Sequence, residues 1–541
     1  MKAFALALLV SVASLPAADA ADYSAYLTAR FAAHQGDNLR AADEMAAALA
    51  ADPGRADLQN QAFVFALLAD RPDVLDQASR LSGETLSALV LADHEAKAGH
   101  WRDAELGYAV LPHNSLTDML RPLLLAWSQA AQGQTDKALA TLDEARQAPA
   151  HSDTLLLVTE ALIADLGHRD GLADRLYKNI SDSLADPDAR IGLFLASWDA
   201  RNGRDAQARA IVDRMIERTP DLAMAKPRLL ESLTTPPVST ATQGIAESYS
   251  MIAGAAHSDR SSGQVSELLA HLALRIDPGA IAPSLLLAQI ASSREQTAVA
   301  IVQLSTIGTD EPFYPVVQLH IASLKARAGD TAEATAMLEK LAKNYPNRPE
   351  PLVALGDIFS NQNKFANAID AYSRAISRVP APNASDWAIF YARGAAYERR
   401  HDWQHAQGDM QHALALSPEQ PFVLNFLGFS MADRNTDLPA ARGMIERALK
   451  QRPDDGAIID SLGWVKLRQG DAHGALDDLE HASSLEPTDP TITGHLGDVY
   501  WQLGRHLEAE NQWRRALVLN PDEDEQARIQ TRLKEARTDS K

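Results

Sequence analysis

His405, Asp409 and His412 stand at i, i+4 and i+7 of one predicted helix. That spacing puts two imidazoles and a carboxylate, all metal-ligating types, on one helical face. His401 lies in the preceding turn, within reach of His405. Nothing else converges on that face, so a solvated polar stripe is expected there and no metal. The acidic clusters Asp454-Asp455 and Asp522-Glu523-Asp524-Glu525 lack calcium-loop spacing. Each follows a proline, where carboxylates favour the start of a helix. No G-x-S-x-G, H-E-x-x-H, Gly-Lys-Ser/Thr phosphate loop or G-x-G-x-x-G appears. The chain has no cysteine, which removes disulfides, thiolate metal sites and cysteine nucleophiles. A Ser-His-Asp set scattered along the chain escapes such a search, because triads are spatial. The expectation is a protein without catalytic residues, metal or cofactor.

With 46% hydrophobic and 23% charged residues, the chain has the composition of a packed protein. Its net charge of −21 repels phosphates and anionic lipid, so nucleic acid and membrane surfaces are not expected partners. Met1-Lys2, an apolar run from Ala3 to Leu15, Pro16 and Ala18-Asp19-Ala20 read as a secretory signal peptide, residues 1–20, cut after Ala20. The run is too short to span a bilayer. Export to a periplasm follows, and without a cysteine there is no lipoprotein anchor.

The rest of the chain repeats. Pro278, Pro312, Pro346 and Pro380 are 34 residues apart, and Pro418, Pro453, Pro487 and Pro521 continue the series. Gly329, Gly470 and Gly504 each fall 17 before one of these prolines. Ala368, Ala406, Ala475 and Ala509 fall 12 before, and Ala375, Ala413, Ala482 and Ala516 fall 5 before. A proline stops a helix, a glycine permits a left-handed turn, and small residues let two helices approach closely. Tyr372, Met410, Leu479 and Trp513 fill the layer between repeats. Eight units follow residue 244 and about six weaker ones precede it. The expected order is a degenerate array at 21–220, a joint at 221–243, a regular array at 244–521, and a capping helix and tail at 522–541.

The segments Leu355-Gly356-Asp357-Ile358-Phe359 with Phe365, Ala368, Tyr372, Ala375 and Pro380, and Leu496-Gly497-Asp498-Val499-Tyr500 with Ala509, Trp513, Ala516 and Pro521, resemble tetratricopeptide repeats. The resemblance implies an all-α, right-handed superhelical solenoid of about fourteen helix-turn-helix units with a C-terminal capping helix. Leu424-Asn425-Phe426-Leu427-Gly428-Phe429-Ser430-Met431-Ala432-Asp433-Arg434, Asp460-Ser461-Leu462-Gly463-Trp464 and His495-Leu496-Gly497-Asp498-Val499-Tyr500-Trp501 resemble something narrower. They are similar to the C-terminal part of Gram-negative envelope tetratricopeptide proteins, over roughly residues 422–521. Members of that group include lipoproteins that dock carboxy-terminal processing proteases and deliver cell-wall hydrolases to them. This chain departs from them in lacking the lipidated cysteine.

In that fold the first helix of each pair lines a concave groove. Its positions there are Tyr391, Arg399, Phe422, Asn425, Phe429, Asp460, Trp464, Arg468, Asp498 and Trp501. Rings, an amide and arginines suit an extended peptide. The other reading of Phe422, Phe429 and Trp464 is packing against the next repeat. The lysines that clamp a peptide carboxylate in other solenoids of this kind are absent. The implied function is a periplasmic scaffold for protein partners, in its sharper form an adaptor for an envelope protease or cell-wall enzyme. The alternative is an assembly factor for secretion, outer-membrane or exopolysaccharide export. An enzyme carrying repeats needs a catalytic domain, and too few residues are left unassigned to make one.

Overall fold

The computed structural model describes residues 20–81, 83–147, 153–184, 187–257 and 263–539. The expected leader falls on residues 1–20, and all of it before Ala20 lies outside the described residues. Among the described residues the chain is all-α: thirty α-helices and two short 3-10 turns, with no strand. None of these helices is long and apolar enough to cross a membrane. The chain divides after Tyr345 into two compact units.

The second unit follows the period closely. Its turns need a left-handed residue, and Gly470 and Gly504 supply it with φ of +89° and +76°. Asn363, His401 and Asn435 take the same conformation where no glycine stands, at φ of +57°, +60° and +54°. Asn and His are among the few side chains that tolerate that region. Asp437, Asp455, Asp471 and Asp489 each accept a backbone N–H and start the next helix. The small residues are fully buried: Ala368, Ala406, Ala475 and Ala509, and Ala375, Ala413, Ala482 and Ala516. So are the large ones they flank, Tyr372, Met410, Leu479 and Trp513. Gly463 has no room for a methyl, since its Cβ would sit 2.7 Å from Leu479 Cγ.

The first unit does something the repeat period does not announce. Residues 221–243, expected as a joint, lie inside this unit, and Leu222, Met224, Leu229, Leu233 and Val238 there are buried. They lead into the Ala241–His257 helix, which turns back onto the Ser115–Ala131 helix. Gly244 lies flat against the fully buried Trp127 ring, with no space for a Cβ between them. The Trp127 indole N–H donates to Ser248 Oγ at 3.1 Å. Arg190 pairs with Glu247 from a third helix. The early repeats therefore wrap their own later helices and bury large side chains on both.

Asp93 ties the same closure. Its carboxylate lies buried on the Thr85–Lys97 helix. It accepts the Tyr108 hydroxyl at 2.7 Å and the Tyr249 hydroxyl at 2.9 Å. Burial pushes its pKa up, to about 7, against the pull of the two tyrosine hydrogen bonds and the Arg275 charge.

Candidate functional site

Four first helices of the second unit carry the sequence-selected residues: Trp387–Glu398, Pro421–Asp433, Gly456–Arg468 and Pro490–Gln502. A helix that packs on both neighbours leaves one narrow stripe free, and these residues are the ones the repeat register assigns to it.

At one end Tyr391 is half-buried, edge-on to Trp387 and to Phe426, with centroids 5.9 and 6.1 Å away. Burial pushes its phenol pKa up. Arg399 is exposed and forms an ion pair with Asp522 at 2.7 Å, reaching the start of the last helix. Phe422 is 39% exposed, with the Arg452 guanidinium 4.9 Å over its ring. Asn425 is half-buried, and its Oδ1 is buried without a hydrogen-bond partner among the described residues. Phe429 is half-buried, its centroid 5.9 Å from the His495 ring. Arg468 is exposed and donates to the Ala432 and Asp433 carbonyls, both at 3.2 Å.

At the other end the stripe is covered. Asp460, Trp464 and Asp498 are buried and engaged by the chain itself. His495 Nδ1 lies 2.9 Å from Asp460 Oδ1, and its ring stacks on Trp464 with centroids 4.1 Å apart. Burial opposes charge on His495, but the Asp460 carboxylate outweighs it, so the imidazole pKa is raised. Asp498 accepts the Trp513 indole N–H at 3.1 Å and the guanidinium of Arg528. Arg528 belongs to the terminal Glu523–Asp539 helix and also lies 5.8 Å over Trp464. The Trp464 Nε1 beneath is buried without an acceptor among the described residues. Trp501 is half-buried, stacked on His506 at 4.1 Å.

The residues of the narrower resemblance thus have a structural job. The Asp460-to-Trp464 and His495-to-Asp498 segments interlock two repeats and receive the terminal helix. His495 and Arg528 are the members the sequence reading did not select. The pairing of His495 with Asp460, one repeat apart, was the available signal.

The histidine stripe does not converge. Asp409 is buried rather than solvated, because Arg393 of the paired helix takes its carboxylate at 2.7 and 2.8 Å. His405 turns to Asp402 at 2.8 Å and stacks on Tyr397. His412 stacks on Phe390. No cluster of metal-ligating residues occurs among the described residues. Asp455 and Asp522 each cap a helix start, at Ile458 N and Glu525 N.

Helix pairs stacked on a 34-residue period, with rings and guanidinium groups along the first helices, define a repeat solenoid. A family model described as a tetratricopeptide repeat-like domain matches residues 240–387, and models of the tetratricopeptide repeat match 123–149 and 461–527. These stretches of the chain are tetratricopeptide repeats. It is similar to a TPR repeat-containing protein of Pseudomonas aeruginosa, 30% identical over 213 residues, which are 39% of this chain and 35% of that one. It is similar to cellulose synthase operon protein C of Pseudomonas fluorescens, 24% identical over 474 residues, 83% of this chain and 35% of that one. The chain spans about a third of the length of these two relatives. Among solved structures, the APC/C hetero-tetramer Cut9-Hcn1 is 15% identical with a TM-score of 0.40, covering 94% of this chain and 96% of that one.

Proposed function

We propose that the chain is a non-catalytic periplasmic scaffold whose second unit holds an extended segment of a partner protein. The observation that carries this is the run Tyr391, Phe422, Phe429 and Trp501. These are four rings left partly exposed on three first helices, two of them on Pro421–Asp433, with Arg399 and Arg468 exposed beside them. Exposed rings flanked by guanidinium groups are the composition of an interface centre, not of an ordinary solvated face. In its sharper form the scaffold is an adaptor that presents cell-wall hydrolases to a carboxy-terminal processing protease, which rests on the resemblance over residues 422–521.

A second reading is an assembly factor for an export system. It is favoured by the similarity to cellulose synthase operon protein C along 83% of this chain. A pull-down from periplasmic and detergent-released envelope extract, with the immobilised chain as bait, separates the two. A processing protease captured together with cell-wall hydrolases supports the adaptor. Export subunits without a protease support the assembly factor. A Phe422→Ala, Phe429→Ala variant that folds but still captures every partner sinks the groove in both readings.

A further inference from the structure

Lys97 and Arg275 lie far apart in sequence, yet they meet inside the first unit. The Lys97 ammonium donates to the Arg275 backbone carbonyl, and the Arg275 guanidinium pairs with Asp70 at 2.7 Å. Beside this junction the Thr85–Lys97 and Gly263–Ile276 helices leave a cleft of about 700 Å³. A second cavity of about 120 Å³ continues it, sharing Leu68, His271 and Gln303 as lining. The volume is that of clefts that hold small organic molecules.

The chemistry of the walls is uneven. Leu274 supplies apolar surface, with the nearly buried Val90 and Ile276 behind it. Burial holds the His271 pKa below the usual imidazole range, so at neutral pH it offers one N–H and one lone pair. The Lys97 ammonium spends one of its three N–H groups on the Arg275 carbonyl. The neighbouring acids are all engaged: Asp70 by Arg275, Asp93 by two tyrosines, Glu267 by Arg294 at 2.9 Å. In a chain of net charge −21, the Lys97 ammonium of this lining has no carboxylate partner among the described residues, and Asp93 nearby adds negative charge only as pH rises through about 7.

We propose that this cleft is a binding site for an amphiphilic monocarboxylate of the fatty-acid type. The carboxylate sits on the Lys97 ammonium and the hydrocarbon body lies along Val90, Leu274 and Ile276. One unpaired ammonium suits a single carboxylate and not a dianion, whose second charge finds no partner. Three aliphatic side chains suit a hydrocarbon and not a sugar or a free inorganic anion. The occupant contacts both the early repeats and the returned helices, so it stabilises their closure.

Calorimetric titration of the full chain with decanoate, decanol and inorganic phosphate tests this. Decanoate is expected to bind once per chain and to raise the Tm. Decanol is expected to bind about tenfold more weakly, and phosphate not at all. Lys97→Gln changes an exposed side chain and leaves the fold; it should weaken decanoate about tenfold and leave decanol unchanged. Leu274→Trp fills the cleft and should abolish both. No decanoate binding, equal affinity for decanoate and decanol, or decanoate affinity unmoved by Lys97→Gln overturns the site.

Discussion

Replacing Asp93 by Asn should make the protein more stable at alkaline pH and should remove a specific pH dependence. Asp93 titrates near 7 in the folded chain, because it is buried with only tyrosine hydroxyls as direct partners. In the unfolded chain an aspartate titrates near 3.9. Between those values the folded state holds a proton that the unfolded state has released. Stability therefore falls as pH rises from about 4 to about 7, and is flat above. At about 1.4 kcal/mol per pH unit, the loss between pH 5 and pH 8 is about 3 kcal/mol. Asn keeps an oxygen for Tyr108 and Tyr249 and carries no charge. The assay is urea unfolding followed by far-UV circular dichroism on both proteins across that range. All other titrating groups cancel in the difference. The stability of Asp93→Asn minus that of the original chain should climb by about 3 kcal/mol with pH and level off near pH 7. A difference that is flat or that falls with pH refutes the reasoning, since a carboxylate held ionised at neutral pH gives no such slope.

Gly244→Ala places a methyl inside the Trp127 ring and should cost about 1–3 kcal/mol, read as a lower Tm; an unchanged Tm means the returned helix is not docked as described. Asp460→Asn should drop the His495 pKa, seen by NMR titration of the imidazole. The raised pKa stabilises fully below about pH 6.5 and the benefit fades as pH climbs through the folded value, so the variant should lose most stability at acid pH. Trp464→Ala should lower stability by about 3–5 kcal/mol because the ring is buried beneath Arg528, whereas Phe422→Ala should change stability by under about 1 kcal/mol and weaken partner capture. Equal losses of stability in the two would place Phe422 in the core.

The repeat architecture was legible because its determinants are local. A helix pair must end, turn and pack within 34 residues, so Gly470, Ala475, Leu479 and Pro487 recur in register and read directly as structure. Where the backbone demand stayed but the residue changed, as at Asn363 and His401, the turn was still made. The return of the Ala241–His257 helix left no such trace. Gly244 and Trp127 are 117 positions apart, and a single glycine facing a single tryptophan has no period. Reading residues 221–243 as a joint came from their prolines and Ser/Thr run. Those mark irregular backbone equally well when it is packed inside a unit, as Leu222 and Leu229 are.

The site shows the same limit in a different form. Register along a helix predicts which side chains share a face, as for Phe422, Phe429 and Asp460. It does not tell whether another element arrives to cover that face. Arg528 does so for Trp464 and Asp498, and Arg393 does so for Asp409. This bears on how the narrower resemblance is to be used. Asp460, Trp464, His495 and Asp498 exceed what a generic repeat requires, but their side chains are spent on one another and on the terminal helix. A motif consumed in building the end of the array testifies to shared architecture at that end. A shared partner must instead be recognised by what stays open, which on our proposal is the face carrying Tyr391, Phe422, Asn425 and Phe429. Exchanging those four residues between this chain and a relative with a known partner is therefore the change that should move binding, while exchanging the buried four should move only stability.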